Sequence, residues 1–160
     1  MKYFSITLVC IVLLFSFSCK TEKVDAFVTV SGVIKNSKDS ILTIVSGNIN
    51  KKIKLDSEGK FTDTLKIKDT KIYRMQLSRS KRGYIFLKNG YNLKLEGDAD
   101  SFFFGFKYEG EGADSNNLLI AQHIYSKKVG TPKDFLSLDN KNFKTKMNNV
   151  ARRMDSISAS

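Results

Sequence analysis

The sequence predicts a mainly β protein: an antiparallel β-sandwich of about seven to eight strands, followed by two C-terminal α-helices. Three observations lead there. From Ala26 to about Glu109, apolar and polar residues alternate with period two, in short runs recurring about every 8–12 residues. No proline precedes Pro132, so no ladder hydrogen bond is lost to one in that stretch. After Gly110-Glu111-Gly112 the apolar period changes from two to helical.

Taken in order, Phe27, Val28, Val30, Val33 and Ile34 form a first strand, interrupted at Gly32. Ile41 to Ser46 alternates next, then Ile53 and Leu55 between lysines. Phe61, Leu65 and Ile67 share a segment whose other positions are mostly Asp, Thr and Lys. Ile72 to Leu77, Tyr84 to Leu87, and Leu93 with Leu95 follow, and Phe102 to Tyr108 close the series as a last strand. Asp56-Ser57-Glu58-Gly59 and Lys88-Asn89-Gly90-Tyr91 read as hairpin turns, because Gly and Asn tolerate positive φ. The polar face of each strand implies sheets solvated on one side.

Beyond the glycines, Asp114 or Ser115 can cap a helix running to about Lys127, which Gly130 breaks. Thr131-Pro132 can start a short turn. Asp139 then caps a second helix, whose stripe Phe143, Met147, Val150, Met154 and Ile157 lies between Lys, Asn and Arg. Such a stripe has to be covered, by the sandwich, by the first helix, or by something outside this chain.

The N-terminus carries the most specific functional signal. Lys2 precedes an uncharged apolar run from Tyr3 to Phe17, then Ser18 and Cys19, and Lys20-Thr21-Glu22-Lys23 begins the polar chain. This pattern is a secretory signal, and the cysteine beside the cut site points to its lipoprotein form, with Cys19 acylated as the new N-terminus. Only 17 uncharged residues separate Lys2 from Lys20, short of the about 20 that a spanning helix needs. An uncleaved anchor and ordinary secretion with a free Cys19 are the other readings of these residues. The expected organisation is a signal peptide over 1–18, a tether over 19–25, a sandwich over 26–112 and a helical segment over 113–160.

Cleavage removes Cys10 and acylation occupies Cys19, so the mature chain keeps no thiol for a disulfide, a thiolate metal site or a redox step. His123 is the lone histidine, so one chain cannot form a two-histidine metal motif; no cofactor and no metal is expected. The net charge of +11 invites nucleic acid, but the lysines and arginines are scattered and an exported chain does not normally meet it. Arg82-Gly83-Tyr84-Ile85-Phe86 begins like an RNA-binding strand motif and then departs from it at Ile85.

Several stretches together resemble a known family. They are Phe27 to Ile34, Lys54 to Phe61, Ile85 to Leu95 and Tyr108 to Asn117, standing behind a lipoprotein-type signal. The chain resembles the β-rich N-terminal domain of TlpA-like thiol–disulfide oxidoreductase lipoproteins. In that family the domain precedes a thioredoxin-fold domain carrying Cys-X-X-Cys. The resemblance implies a periplasm-facing, membrane-anchored lipoprotein of the cell envelope. It further implies a non-catalytic accessory or docking role in thiol–disulfide exchange, either as a stand-alone derivative or as the front part of a longer product. The expected partners are the membrane, through the lipid, and a thioredoxin-like domain or other envelope protein, through the Phe143/Met147/Val150/Met154/Ile157 stripe.

Other chemistry weighs less. His123 reads as a surface or packing residue, and no Gly-X-Ser-X-Gly elbow presents a serine. Asp98, Asp100, Glu109, Glu111 and Asp114 cluster in sequence without calcium-loop spacing and read as solvated loop charges. The Phe102–Phe106 run reads as core and covered edge. A solute- or glycan-binding lipoprotein using Tyr73, Tyr84 and Tyr91 on a concave sheet face is the alternative.

Overall fold

The computed structural model describes residues 27–159. Among them are eight strands: β1 (Val28–Lys35), β2 (Ile41–Ser46), β3 (Ile49–Lys54), β4 (Lys60–Leu65), β5 (Lys71–Gln76), β6 (Arg82–Leu87), β7 (Asn92–Asp98) and β8 (Lys107–Glu111). Three helices follow: α1 (Ala113–Val129), α2 (Pro132–Leu136) and α3 (Asn140–Ser158). The signal peptide, Cys19 and the tether lie outside the described residues.

The strands form two four-stranded sheets, ordered β4-β1-β7-β8 and β3-β2-β5-β6. All pairings are antiparallel except β1 with β7, which run parallel with Val30 opposite Leu93. The period-two alternation sorts the side chains. Val28, Val30 and Ile34, then Leu93 and Leu95, point inward from one sheet; Leu42, Ile44, Tyr73, Met75, Ile85 and Leu87 meet them from the other. The result is a filled sandwich. At the side where β3 and β4 end the sheets, Lys51 and Asp63 face inward and pair at 2.7 Å. Inward-pointing charges of this kind keep open strands from recruiting further ones.

Four expectations need correction. β1 runs unbroken through Gly32, because that residue takes φ 151° and presents bare backbone to Leu95, where a Cβ would overlap the carbonyl oxygen. The Asp56–Gly59 turn forms, with Asp56 Oδ1 accepting from the Glu58 and Lys60 amides at 2.9 and 2.8 Å, yet β3 and β4 belong to different sheets. Lys88–Tyr91 likewise carries the chain across the sandwich, from β6 to β7. The tight hairpins are β2–β3, around Gly47 and Asn48, and β5–β6. Turn chemistry is local and does not say which sheet the next strand joins. Phe102 to Gly105 is a turn, not a strand, with Phe103 at φ 71°. The phenyl ring offsets that strained backbone by closing the end of the core. It lies against Gly83, where a Cβ would come within 2.6 Å of Phe103 Cβ, and edge-on to Tyr84 at 5.9 Å.

The helices differ from expectation in their starts and number. Gly112, at φ 93°, is the N-cap of α1, so the helix begins before Asp114 and has no side-chain cap. Gly130 ends it as expected. Thr131-Pro132 opens a true short helix in which Thr131 and Asp134 form a capping box, making three helices instead of two. Asp139 caps α3, accepting from the Asn142 amide at 2.9 Å. That bond, ahead of the Asn142 side chain and the Lys141 amide, holds the Asp139 carboxyl below the usual carboxylate range; the Thr131 amide and hydroxyl do the same for Asp134.

Gly32→Ala should lower folding stability by about 3 kcal/mol or more, and Gly47→Ala, with open space around it, by only about 1 kcal/mol. Urea midpoints of the two variants check the order, and equal losses would mean that backbone conformation alone matters. A depressed folded-state pKa stabilises above the ordinary carboxylate range near 4, and the contribution is lost as pH falls through the lower folded value. The Asn142 amide should therefore lose exchange protection on acidification, and Asp139→Asn, a neutral cap, should remove that pH dependence.

Candidate functional site

Sandwiches of two open sheets leave strand edges whose amides and carbonyls need partners. On one side of this one the edges are β6 and β8, and α1 closes them. Asn116 Oδ1 accepts from Phe86 N–H at 2.8 Å and its Nδ2 donates to Phe86 C=O at 3.0 Å. The neighbouring Asn117 repeats the pattern on the other sheet, accepting from Tyr108 N–H and donating to Tyr108 C=O, both at 2.9 Å. Each carboxamide thus stands in for one peptide unit of a missing strand. Asn116 is fully buried, and its Nδ2 also donates to Gly112 C=O at 3.0 Å.

This attachment fixes where α1 points. It starts beside Tyr91, at the end of the sandwich where Phe27 C=O accepts from Gly90 N–H. It leaves past the opposite end, where Lys127 lies over the Phe104 ring at 5.8 Å. His123, midway, packs against Tyr84 and Phe103 at 5.2 Å each and against Phe104 at 6.3 Å. α3 returns along α1: Ile157 reaches a small cavity beside Leu118 and Ala121, and Gln122 donates to Ser158 Oγ at 3.2 Å.

The apolar stripe is therefore divided. Val150, Met154 and Ile157 are partly covered, while Phe143 and Met147 remain 39% and 42% exposed. With Phe135 and Leu136 of α2, Gly130 and Pro132 they line a cavity of about 390 Å³ at the helical tip. Leu136 is 84% exposed, and Phe135 stands edge-on to Phe143 at 6.5 Å. The segment that forms the tip carries six lysines (127, 128, 133, 141, 144 and 146), of which Lys146 lies over the Phe135 ring, against Asp134 and Asp139, whose carboxylates cap α2 and α3.

The other sequence candidates do not converge. Tyr73 is buried in the core and donates to Asp69 C=O at 2.7 Å, Tyr84 faces outward, and Tyr91 packs on Phe86. The five carboxylates are spread out: Asp98 and Asp100 stand at the end of β7, Glu109 and Glu111 lie opposite Lys94 and Asn92, about 13–20 Å back along the sheet, and Asp114 is in the first turn of α1. Asp98 accepts from Asp100 N–H, which depresses its pKa, whereas Glu109 pairs with Lys107 at 3.2 Å. A larger groove of about 840 Å³ surrounds Gly32, but its Lys60, Lys94 and Glu96 are each paired, with Glu58, Glu109 and Lys35. Tyr108 Oη is buried and has no hydrogen-bond partner among the described residues, and burial pushes its pKa up. Among the described residues no group of three or more His, Cys, Asp or Glu side chains could hold a metal ion, and no helix is long and apolar enough to cross a membrane.

Set beside known protein families, curated proteins and solved structures, the chain matches none of them. The resemblance to TlpA-like proteins gains no support from these comparisons.

Sequence reasoning missed two parts of this site. The stitching pair Asn116-Asn117 was legible only as the polar start of a helix, and the Phe135-Leu136 pair only as a short apolar interruption among lysines. Asn116→Leu should cost about 3 kcal/mol, because Phe86 N–H and C=O lose their partners beneath a side chain that also keeps water out, and Asn117→Ala about 1–2 kcal/mol. Asn116→Asp should be at least as damaging at neutral pH and recover partly in acid. A buried carboxyl has a raised pKa, so its folded state is favoured below the unfolded value and loses ground as pH rises. Denaturation midpoints at pH 7 and near pH 4 check both statements.

Proposed function

We propose that this chain is a non-catalytic, lipid-anchored module of the cell envelope, facing the periplasm, that presents a docking surface to thiol–disulfide exchange machinery. One observation carries the docking part. Phe27, two residues beyond the expected tether, and the exposed helical tip stand at opposite ends of a filled sandwich. An anchor at Cys19 would then place the membrane at one end and the apolar tip at the other, as a spacer requires. The sequence supports the anchor through Lys2, the Tyr3–Phe17 run and Cys19. The thiol–disulfide association draws on the resemblance of the turn and strand motifs alone.

Intact mass of native material should give an N-terminal Cys19 bearing two or three acyl chains, and Cys19→Ser should release the protein from the membrane fraction. Unprocessed Met1 in a cytosolic fraction would contradict the anchor. The purified chain should reduce insulin no faster than a Cys19-blocked control, and it should alter the rate of a thioredoxin-fold oxidoreductase from the same envelope. No change at saturating concentration would remove the redox association and leave the anchored module standing.

A further inference from the structure

We infer that the helical tip binds an acidic amphipathic segment of a partner protein, which seats apolar side chains in the Phe135–Phe143 cavity and carboxylates against the surrounding lysines. This rests on the docking reading above and names the chemistry of its partner.

Two features of the tip select that chemistry. The cavity of about 390 Å³ is lined by Pro132, Phe135, Leu136, Phe143 and Met147, a size and lining suited to one or two leucine- or phenylalanine-sized anchors. Leu136 at 84% exposure and Met147 at 42% are left uncovered by the described residues, and methionine adapts readily to a partner's shape. Around them the charge is nearly of one sign. Lys146 lies 4.3 Å above the Phe135 ring, at the lip of the cavity, with Lys133, Lys141 and Lys144 on the same short segment. The two aspartates nearby already accept backbone hydrogen bonds at the starts of α2 and α3.

That charge pattern separates the possible occupants. A second copy of this chain would bring lysines against lysines, which costs association energy. A bilayer would have to meet the end of the sandwich farthest from Phe27. An acidic amphipathic helix satisfies both the apolar cavity and its basic rim, with the rim steering encounter.

The test uses the full chain and three synthetic helical peptides, glutamate-rich on one face and Leu/Phe-bearing on the other, differing in apolar spacing. At least one should bind with a dissociation constant below about 100 μM, and about tenfold more weakly as salt rises past roughly 0.3 M. Leu136→Ser and Lys144→Glu should each weaken binding about tenfold, whereas Lys88→Glu, at the far end of the sandwich, should leave it unchanged. The high exposure of Leu136 keeps the first variant from disturbing the fold.

Four results would overturn the inference: no acidic peptide binding in that range, equal binding of lysine-for-glutamate peptides, indifference to Leu136→Ser, or tighter capture by phosphatidylglycerol vesicles than by any peptide. Self-association abolished by Leu136→Ser would overturn it in favour of a second copy. Acylation is read on native material and binding on the chain in solution, so either proposal can fail alone.

Discussion

Asn116 and Asn117 hold the helical part of the chain to the sandwich, and most of the molecule's geometry depends on that pair. Consecutive helical residues point about 100° apart, so two adjacent side chains on one helix can reach two different sheets. Each carboxamide offers one acceptor and donors with the spacing of a peptide unit, and each meets the N–H and C=O of a single edge residue. The net gain of four such bonds is about 4 kcal/mol, but the larger effect is the penalty avoided, since the Asn116 carboxamide is closed to water. Apolar side chains alone would let α1 slide along the groove. The two asparagines set its register.

Register then propagates outward. Because α1 is fixed at its start, its last turn must pass Phe104 and end at Gly130 beyond the sandwich. The capping box at Thr131 and the Asp139 cap turn the chain through α2 and send α3 back along α1. The cover is incomplete by construction: α3 outlasts the available face of α1, so Phe143 and Met147 are left over where Val150 and Ile157 are not. The exposed apolar tip follows from helix lengths and from the position of the stitch.

Much of this was legible because strand and helix periods differ. The alternation Val28-Val30 or Leu93-Leu95 leaves no freedom about which side chains face the core, and the four- and three-residue steps from Phe143 to Ile157 mark one helical face. Pairing was harder to read. Asp56–Gly59 forms the turn its residues dictate, yet joins strands of different sheets, because the destination of β4 is set by its match to β1 across many residues. The Phe102–Phe106 run misled for a related reason: five aromatic-rich positions look like a strand, but Gly83 leaves a slot that pulls Phe103 into a turn at positive φ. The asparagine pair had no sequence signature, since polar residues also begin ordinary solvated helices. The division of the stripe was equally hidden, because it depends on how far α1 extends past its attachment.

Native-state hydrogen exchange tests the stitch most directly. If the two carboxamides replace a missing strand, the Phe86 and Tyr108 amides, although on edge strands, should exchange only through global unfolding, as slowly as amides in central β1 and β5. Exchange of either amide at the rate of solvent-facing edge residues in β4 would mean that α1 merely rests on the sandwich, and the placement of the tip would lose its physical basis.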